Sequence, residues 1–219
     1  MSSVSLIEVE RPPETAETRA ERLHARIRAR EARVGVVGLG YVGLPLTLVF
    51  NEKGFPVVGF DLDAEKAKAL SDGRSYIRHV TAERIARANA TGRYAATSDF
   101  RGIAGCDAVL ICVPTPLTPQ REPDMTYVVA TAREIAAHLR EGQLVVLEST
   151  TYPGTTDELV RGILEETGLK CGEDFFLAFS PERENPGDEK HTTRTTARAA
   201  EPRPAAPSPT RGADAQPVS

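Results

Sequence analysis

Short runs of unbroken apolar residues alternate with amphipathic stretches along most of this chain, and that alternation leaves few folds open. The runs are RVGVVG at 33–38, FPVVGF at 55–60, CDAVLICV at 106–113, QLVVLES at 143–149 and FFLAFS at 175–180, with a weaker one, RYAATSD, at 93–99. Between them lie LPLTLVFNEKG, AEKAKALSDG, TAERIARANATG, TYVVATAREIAAHLREG and GTTDELVRGILEETG. Several of these end in Gly, the usual helix stop. A strand covered on both faces reads as a continuous apolar run rather than as an alternation. The pattern therefore predicts an α/β protein with a doubly wound, mostly parallel sheet. Its 219 residues leave room for one such domain with appendages, and not comfortably for two.

Composition divides the chain into three zones. Residues 1–32 hold six acidic and six basic side chains. From Glu14 onward they read as an exposed helix leading into the domain, with Leu23 and Ile27 on one face. Residues 33–191 form the patterned domain. Residues 192–219 contain five Pro and no aromatic residue, which predicts a disordered Ala/Pro/Arg-rich tail. The N-terminus lacks a basic flank followed by an apolar core, so no secretory signal is expected. No window approaches the roughly 18 apolar residues of a membrane helix. Three cysteines, an odd number without metal-type spacing, suit a reducing cytoplasm. The 27 basic and 31 acidic side chains give a net charge of −4, which argues against nucleic acid as a partner.

The sharpest local motif is Gly38-Leu39-Gly40-Tyr41-Val42-Gly43, placed between a strand and a helix. Gly38 permits the tight turn, Gly40 admits a pyrophosphate to the backbone, and Gly43 lets helix and strand pack closely. The helix N-terminus then faces an anion. Asp61 ends the next strand at the distance where a carboxylate accepts hydrogen bonds from an adenosine ribose. That carboxylate repels a 2′-phosphate, so the expected cofactor is NAD and the expected fold is Rossmann-like, in a single domain. Lys66, five residues on, is either an adenosine contact or an exposed helix lysine.

Three further segments follow strands and so belong at the carboxyl edge of the sheet, where open α/β folds bind ligands. Thr115, in VPTPLTP, touches cofactor or substrate, or simply belongs to a rigid loop. In ESTTYPG (148–154), the hydroxyls either cap the next helix or face the glycine loop. In SPERENPG (180–187), Glu182 and Arg183 serve proton or sugar chemistry, or form an ordinary ion pair. Cys112 reads as a core residue, and neither Cys106 nor Cys171 has a neighbour that would activate a thiol. The four histidines are scattered, and no metal site is expected.

Together, VGVVGLGYVGLPL, VVGFDLD, SYIRHV, ICVPTPLT, EPDMTYV, VVLESTTYPGTT and FFLAFSPEREN–PG resemble the N-terminal NAD-binding domain of the UDP-glucose/GDP-mannose dehydrogenase family. The likeness is greatest to the bacterial branch acting on UDP-N-acetylglucosamine or UDP-N-acetylmannosamine. It implies oxidation of a sugar C6 alcohol to a carboxylate with two NAD+, through an aldehyde captured by a cysteine thiolate, for surface polysaccharide synthesis. It implies cofactor contacts at Gly38, Tyr41, Val42, Asp61 and Lys66, a nicotinamide-side contact at Thr115, and catalytic or positioning roles for Thr150 and Glu182. Asn185 stands where relatives more often carry Asp. Full-length relatives form dimers.

After Thr193 the family's motifs stop, including the lysine, asparagine and cysteine of its second half. The change of composition suggests a frameshift or early end, and a polypeptide that binds NAD weakly and turns over no UDP-sugar alone. Two alternatives stay open at this point. One is a non-catalytic NAD-binding module, or a half-enzyme with a separately encoded partner. The other is a 3-hydroxyacid dehydrogenase, against which ESTTYPGTT and SPEREN argue.

Overall fold

The computed structural model describes residues 15–180. Six strands form one sheet in the order β3-β2-β1-β4-β5-β6: β1 Val34–Val37, β2 Val57–Phe60, β3 Tyr94–Thr97, β4 Ala108–Ile111, β5 Leu144–Leu147 and β6 Phe176–Phe179. Every pairing is parallel, with Val34 in register with Val57 on one side and Ala108 on the other. The helices are α1 Ala16–Arg28, α2 Gly43–Glu52, α3 Ala64–Ser71, α4 Ala82–Ala90, α5 Thr126–Ala136 and α6 Arg161–Glu165. A 3₁₀ turn, Phe100–Gly105, precedes β4, and a π-helical turn, Thr155–Val160, runs into α6. Neither turn is visible in the apolar periodicity.

The unbroken apolar runs have the reason expected of them. β1 and β4 are buried at every position. Val34 and Val36 enter one core cluster, with Leu44, Leu48, Leu70 and Ile85. Val37 enters the other, with Phe60, Ile111, Ile135, Leu147 and Leu164. Successive side chains of a strand point to opposite faces, so both faces of the sheet are covered. The chain runs outward from β1 to β3, then crosses back to β4 on the other side of β1. That reversal opens a crevice at the carboxyl ends of β1 and β4.

The N-terminal helix is exposed over most of its length, as the sequence predicts, but it is also fastened to the domain. Thr15 caps α1 by accepting from the Thr18 N–H. Leu23 is buried, Arg19 pairs with Glu141 and with Asp174, at 3.3 Å for the latter, and Arg26 reaches Asp107 at 2.9 Å. Asp107 also accepts from Arg140 at 3.0 Å and from the Arg33 N–H at 2.8 Å. Burial pushes its carboxyl upward, but the hydrogen bonds from Arg33, Arg140 and Arg26 outweigh burial and hold it below its ordinary range. The arginines that make α1 look solvated are what fasten it.

Among the described residues no helix is long and apolar enough to cross a membrane. Glu182, Arg183, Asn185 and the tail at 192–219 lie outside the described residues, as does the start of the chain.

Candidate functional site

β1 ends at Val37, and the chain turns at Gly38 with φ +94°. A side chain there is strained by the backbone alone, and its Cβ would lie 2.6 Å from the Cys112 carbonyl oxygen. At Gly43, the first residue of α2, a Cβ would lie 1.8 Å from the Gly38 carbonyl oxygen. The expected helix–strand packing is thus more local: helix start meets its own loop, with the Cys112 side chain next at 3.2 Å. Gly40 differs from both. A Cβ there would meet nothing within 4 Å. The protein's packing explains two of the three glycines and leaves the middle one free beside the start of α2.

Asp61, just past β2, is largely buried. Its Oδ2 accepts from the Leu39 N–H at 2.9 Å, and its Oδ1 accepts from the Asp63 N–H at 3.0 Å. Lys66, on α3, reaches Oδ2 at 3.2 Å. A carboxylate has about four acceptor sites. Backbone donors take two, which fixes the side chain and leaves the others for Lys66 and a ligand hydroxyl. Asp61 therefore ties the middle of the glycine loop to β2.

The segment between α3 and α4 also holds the loop. Tyr76 Oη donates to the Leu39 carbonyl at 2.7 Å, and the His79 ring lies against Tyr41 with centroids 5.8 Å apart. Burial, and then the charge of Asp61, push the Tyr76 hydroxyl well above its ordinary pKa, so it stays a donor. No residue pattern assigns Tyr76 or His79 to the loop, because 37 residues separate Tyr76 from Leu39. Tyr41 itself is mostly exposed.

On the other side of β1, the ends of β4 and β5 enclose a cavity of about 210 Å³. Its walls are residues 113–115 after β4, residues 148–150 after β5, and Val42 at the start of α2. Ser149 shapes it by donating to the Val113 carbonyl at 2.7 Å. Thr115 and Thr150 both line it, although 35 residues apart in sequence. The hydroxyls of 149–151 do not cap the next helix. Gly154 precedes that turn at φ +95° with no side-chain cap. A larger cavity, about 310 Å³, lies between α2 and α4 near Asn51, toward the far end of α2 from the glycine loop.

The three cysteines are poor nucleophiles. Burial pushes the Cys106 thiol up to about 11, and Cys171 is raised by the same cause. Cys112 is buried behind the Gly38 turn.

A parallel sheet of this order, with a glycine turn opening α2 after β1 and an acid closing β2, defines a dinucleotide-binding domain of Rossmann type. The chain belongs to the UDP-glucose/GDP-mannose dehydrogenase family, whose NAD-binding domain matches residues 32–200. It is 39% identical over 163 residues to a UDP-N-acetyl-D-glucosamine 6-dehydrogenase of Pseudomonas aeruginosa, covering 74% of this chain and 38% of that protein. The solved UDP-D-ManNAc dehydrogenase of Pyrococcus horikoshii superposes with a TM-score of 0.67 at 37% identity, over 71% of this chain and 37% of the other. GDP-mannose dehydrogenase from Pseudomonas aeruginosa gives the same TM-score at 32% identity, over 70% and 36%. The chain thus spans between a third and two fifths of the length of these relatives.

Proposed function

We propose that this chain supplies the NAD-binding half of a nucleotide-sugar 6-dehydrogenase acting on a UDP-N-acetylhexosamine. The substrate class rests on relatives named for UDP-N-acetylglucosamine and UDP-N-acetylmannosamine. In this reading the cofactor domain runs over 33–191, with α1 docked to it. It works in the cytoplasm, in the same reading, and contributes to surface polysaccharide synthesis.

The observation that carries the cofactor assignment is the open space at Gly40, flanked by two glycines whose places the fold itself dictates. Backbone N–H groups at the start of α2 face the diphosphate there. Tyr41 and Val42 border it. Asp61 accepts from the adenosine ribose hydroxyls, and Lys66 steadies that carboxylate. Thr115 and Thr150 face the nicotinamide end and the sugar, and Glu182 serves as an acid, a base or an orienting group there. When bound, NAD accepts a hydride from the sugar alcohol. The residues named hold and orient the reactants. None of the cysteines at 106, 112 and 171 is placed for a thiol step, so the chemistry assigned to this chain stops at that transfer.

Calorimetry on the 219-residue protein tests the cofactor reading: NAD+ and ADP-ribose bind, and NADP+ binds more weakly. Binding of none of the three refutes it. The substrate reading is tested by calorimetry on the NAD+-loaded protein with UDP-GlcNAc, UDP-ManNAc, UDP-glucose and GDP-mannose. Binding confined to the last two would refute the N-acetylhexosamine assignment.

A further inference from the structure

Space is open around Gly40, yet the residue before it is held from three directions. The Leu39 side chain is fully buried against β2, where a Cβ on Gly59 would lie 2.6 Å from Leu39 Cδ2. The Leu39 N–H donates to Asp61 Oδ2 at 2.9 Å. The Leu39 carbonyl accepts from Tyr76 Oη at 2.7 Å. The first two ties run to β2 and its end. The third comes from the segment between α3 and α4, which Ile77 and Val80 anchor in the core. Ser75 shapes that segment by donating to the Ile77 carbonyl at 3.0 Å. The same segment meets the residue after Gly40, since the His79 ring lies against Tyr41. Gly40 is thus bracketed, with Tyr76 on one side and His79 on the other.

We infer that Tyr76 is a positioning residue for the diphosphate: it keeps the Leu39 carbonyl turned out of the anion site, so that N–H groups alone face it. The inference rests on the NAD-binding reading above. A peptide unit is planar, and the one joining Leu39 to Gly40 is trans, so its C=O and N–H point in opposite directions. Fixing the oxygen on Tyr76 therefore fixes the Gly40 N–H on the other side. The tie matters at this place because glycine, without a Cβ, leaves its flanking peptides free to rotate. A carbonyl oxygen carries partial negative charge, and one turned toward a diphosphate would repel it. Among the described residues the Gly40, Tyr41 and Val42 N–H groups donate to no backbone carbonyl. Three successive donors of this kind make a concavity suited to an anion. The Tyr76 hydroxyl sets the orientation of the first of them.

The test uses the full chain, as wild type and as Tyr76→Phe, which keeps the ring and removes only the hydroxyl. Calorimetry gives dissociation constants for NAD+ and ADP-ribose, and competition against ADP-ribose gives that of adenosine, which carries no phosphate. In Y76F, NAD+ and ADP-ribose both weaken about fivefold, the worth of one hydrogen bond, while adenosine stays within about twofold. A merely structural role would weaken all three in parallel, and that outcome overturns the inference, as does no change in any of them. Wild type supplies a second measurement that no misfolded variant can spoil. In protein with isotope-labelled glycine, the Gly40 amide resonance moves on addition of ADP-ribose and holds still on addition of adenosine. A Gly40 resonance indifferent to bound ADP-ribose overturns the inference while leaving NAD binding intact. Failure of wild type to bind ADP-ribose at all instead refutes the NAD-binding reading itself.

Discussion

Gly40 shows how one missing atom can be assigned to a ligand rather than to the fold. Its neighbours in the motif are required by the protein: Gly38 by a left-handed backbone and the Cys112 carbonyl, Gly43 by the Gly38 carbonyl. The three alanine variants should separate accordingly. Gly38→Ala and Gly43→Ala each lose about 2–3 kcal/mol of stability, because backbone must move to admit the methyl. Gly40→Ala stays within about 0.5 kcal/mol of wild type, as for an unhindered surface change. Yet it weakens NAD+ binding by tenfold or more, about 1.4 kcal/mol. Urea midpoints and calorimetry on the same three proteins decide, and a large stability loss in Gly40→Ala would contradict the assignment. The thiols give a second check at this scale. Burial raises Cys106 to about 11 and also lifts Cys171. In the folded protein at pH 8, a disulfide reagent should react slowly with all of them and quickly only after urea is added. Rapid native labelling of Cys106 would contradict its burial.

At the level of elements, the central strands β1 and β4 were legible because burial on both faces writes itself as unbroken apolar sequence, whereas β6 reads as apolar although none of its residues is fully buried. RYAATSD read weakly for a physical reason: β3 is an edge strand, and only Tyr94 in it is fully buried. Glu182 was legible as a motif, but it falls outside the described residues. Other features had no local signature. Charge alternation in α1 has the same appearance whether its arginines meet water or Asp107, and Asp107 is 81 residues from Arg26. The hold of Tyr76 on the glycine loop and the meeting of Thr115 with Thr150 likewise depend on the sheet bringing distant segments together. The Asp107 cluster can be tested directly. Asp107→Asn should cost about 2 kcal/mol at pH 7, since charged hydrogen bonds to Arg26 and Arg140 are lost. The folded carboxyl is held below its ordinary range. Its contribution is therefore fully present above about pH 4, the unfolded value, and fades as pH falls through the depressed folded value. The gap between wild type and variant, read from urea midpoints, should be widest at neutral pH and shrink toward pH 3. A gap that widens in acid would refute the arrangement.

For the whole molecule, the two core clusters share one sheet, so ligand held at the crevice between β1 and β4 should stabilise both faces as a unit. Mass action sets the size of the effect. NAD+ at a hundred times its dissociation constant adds about 2.7 kcal/mol. For a chain of this length each kcal/mol raises the melting temperature by about 2–4 °C, which predicts a single transition moved upward by about 5–10 °C. The Asp61–Lys66 pair then decides which dinucleotide is seen. In wild type the Asp61 carboxylate neutralises Lys66 at 3.2 Å and repels a 2′-phosphate, so NADP+ at the same concentration moves the transition much less. Asp61→Asn keeps an acceptor for the Leu39 N–H but removes the negative charge. Lys66 is then free to meet a phosphate, while the ribose hydroxyls lose a charged acceptor. The shift with NAD+ should fall to less than half, and that with NADP+ should rise to equal or exceed it. Thermal scans of the two proteins with each dinucleotide check the point. If NAD+ still dominates by the wild-type margin in Asp61→Asn, the discrimination lies elsewhere on the crevice and not in this carboxylate.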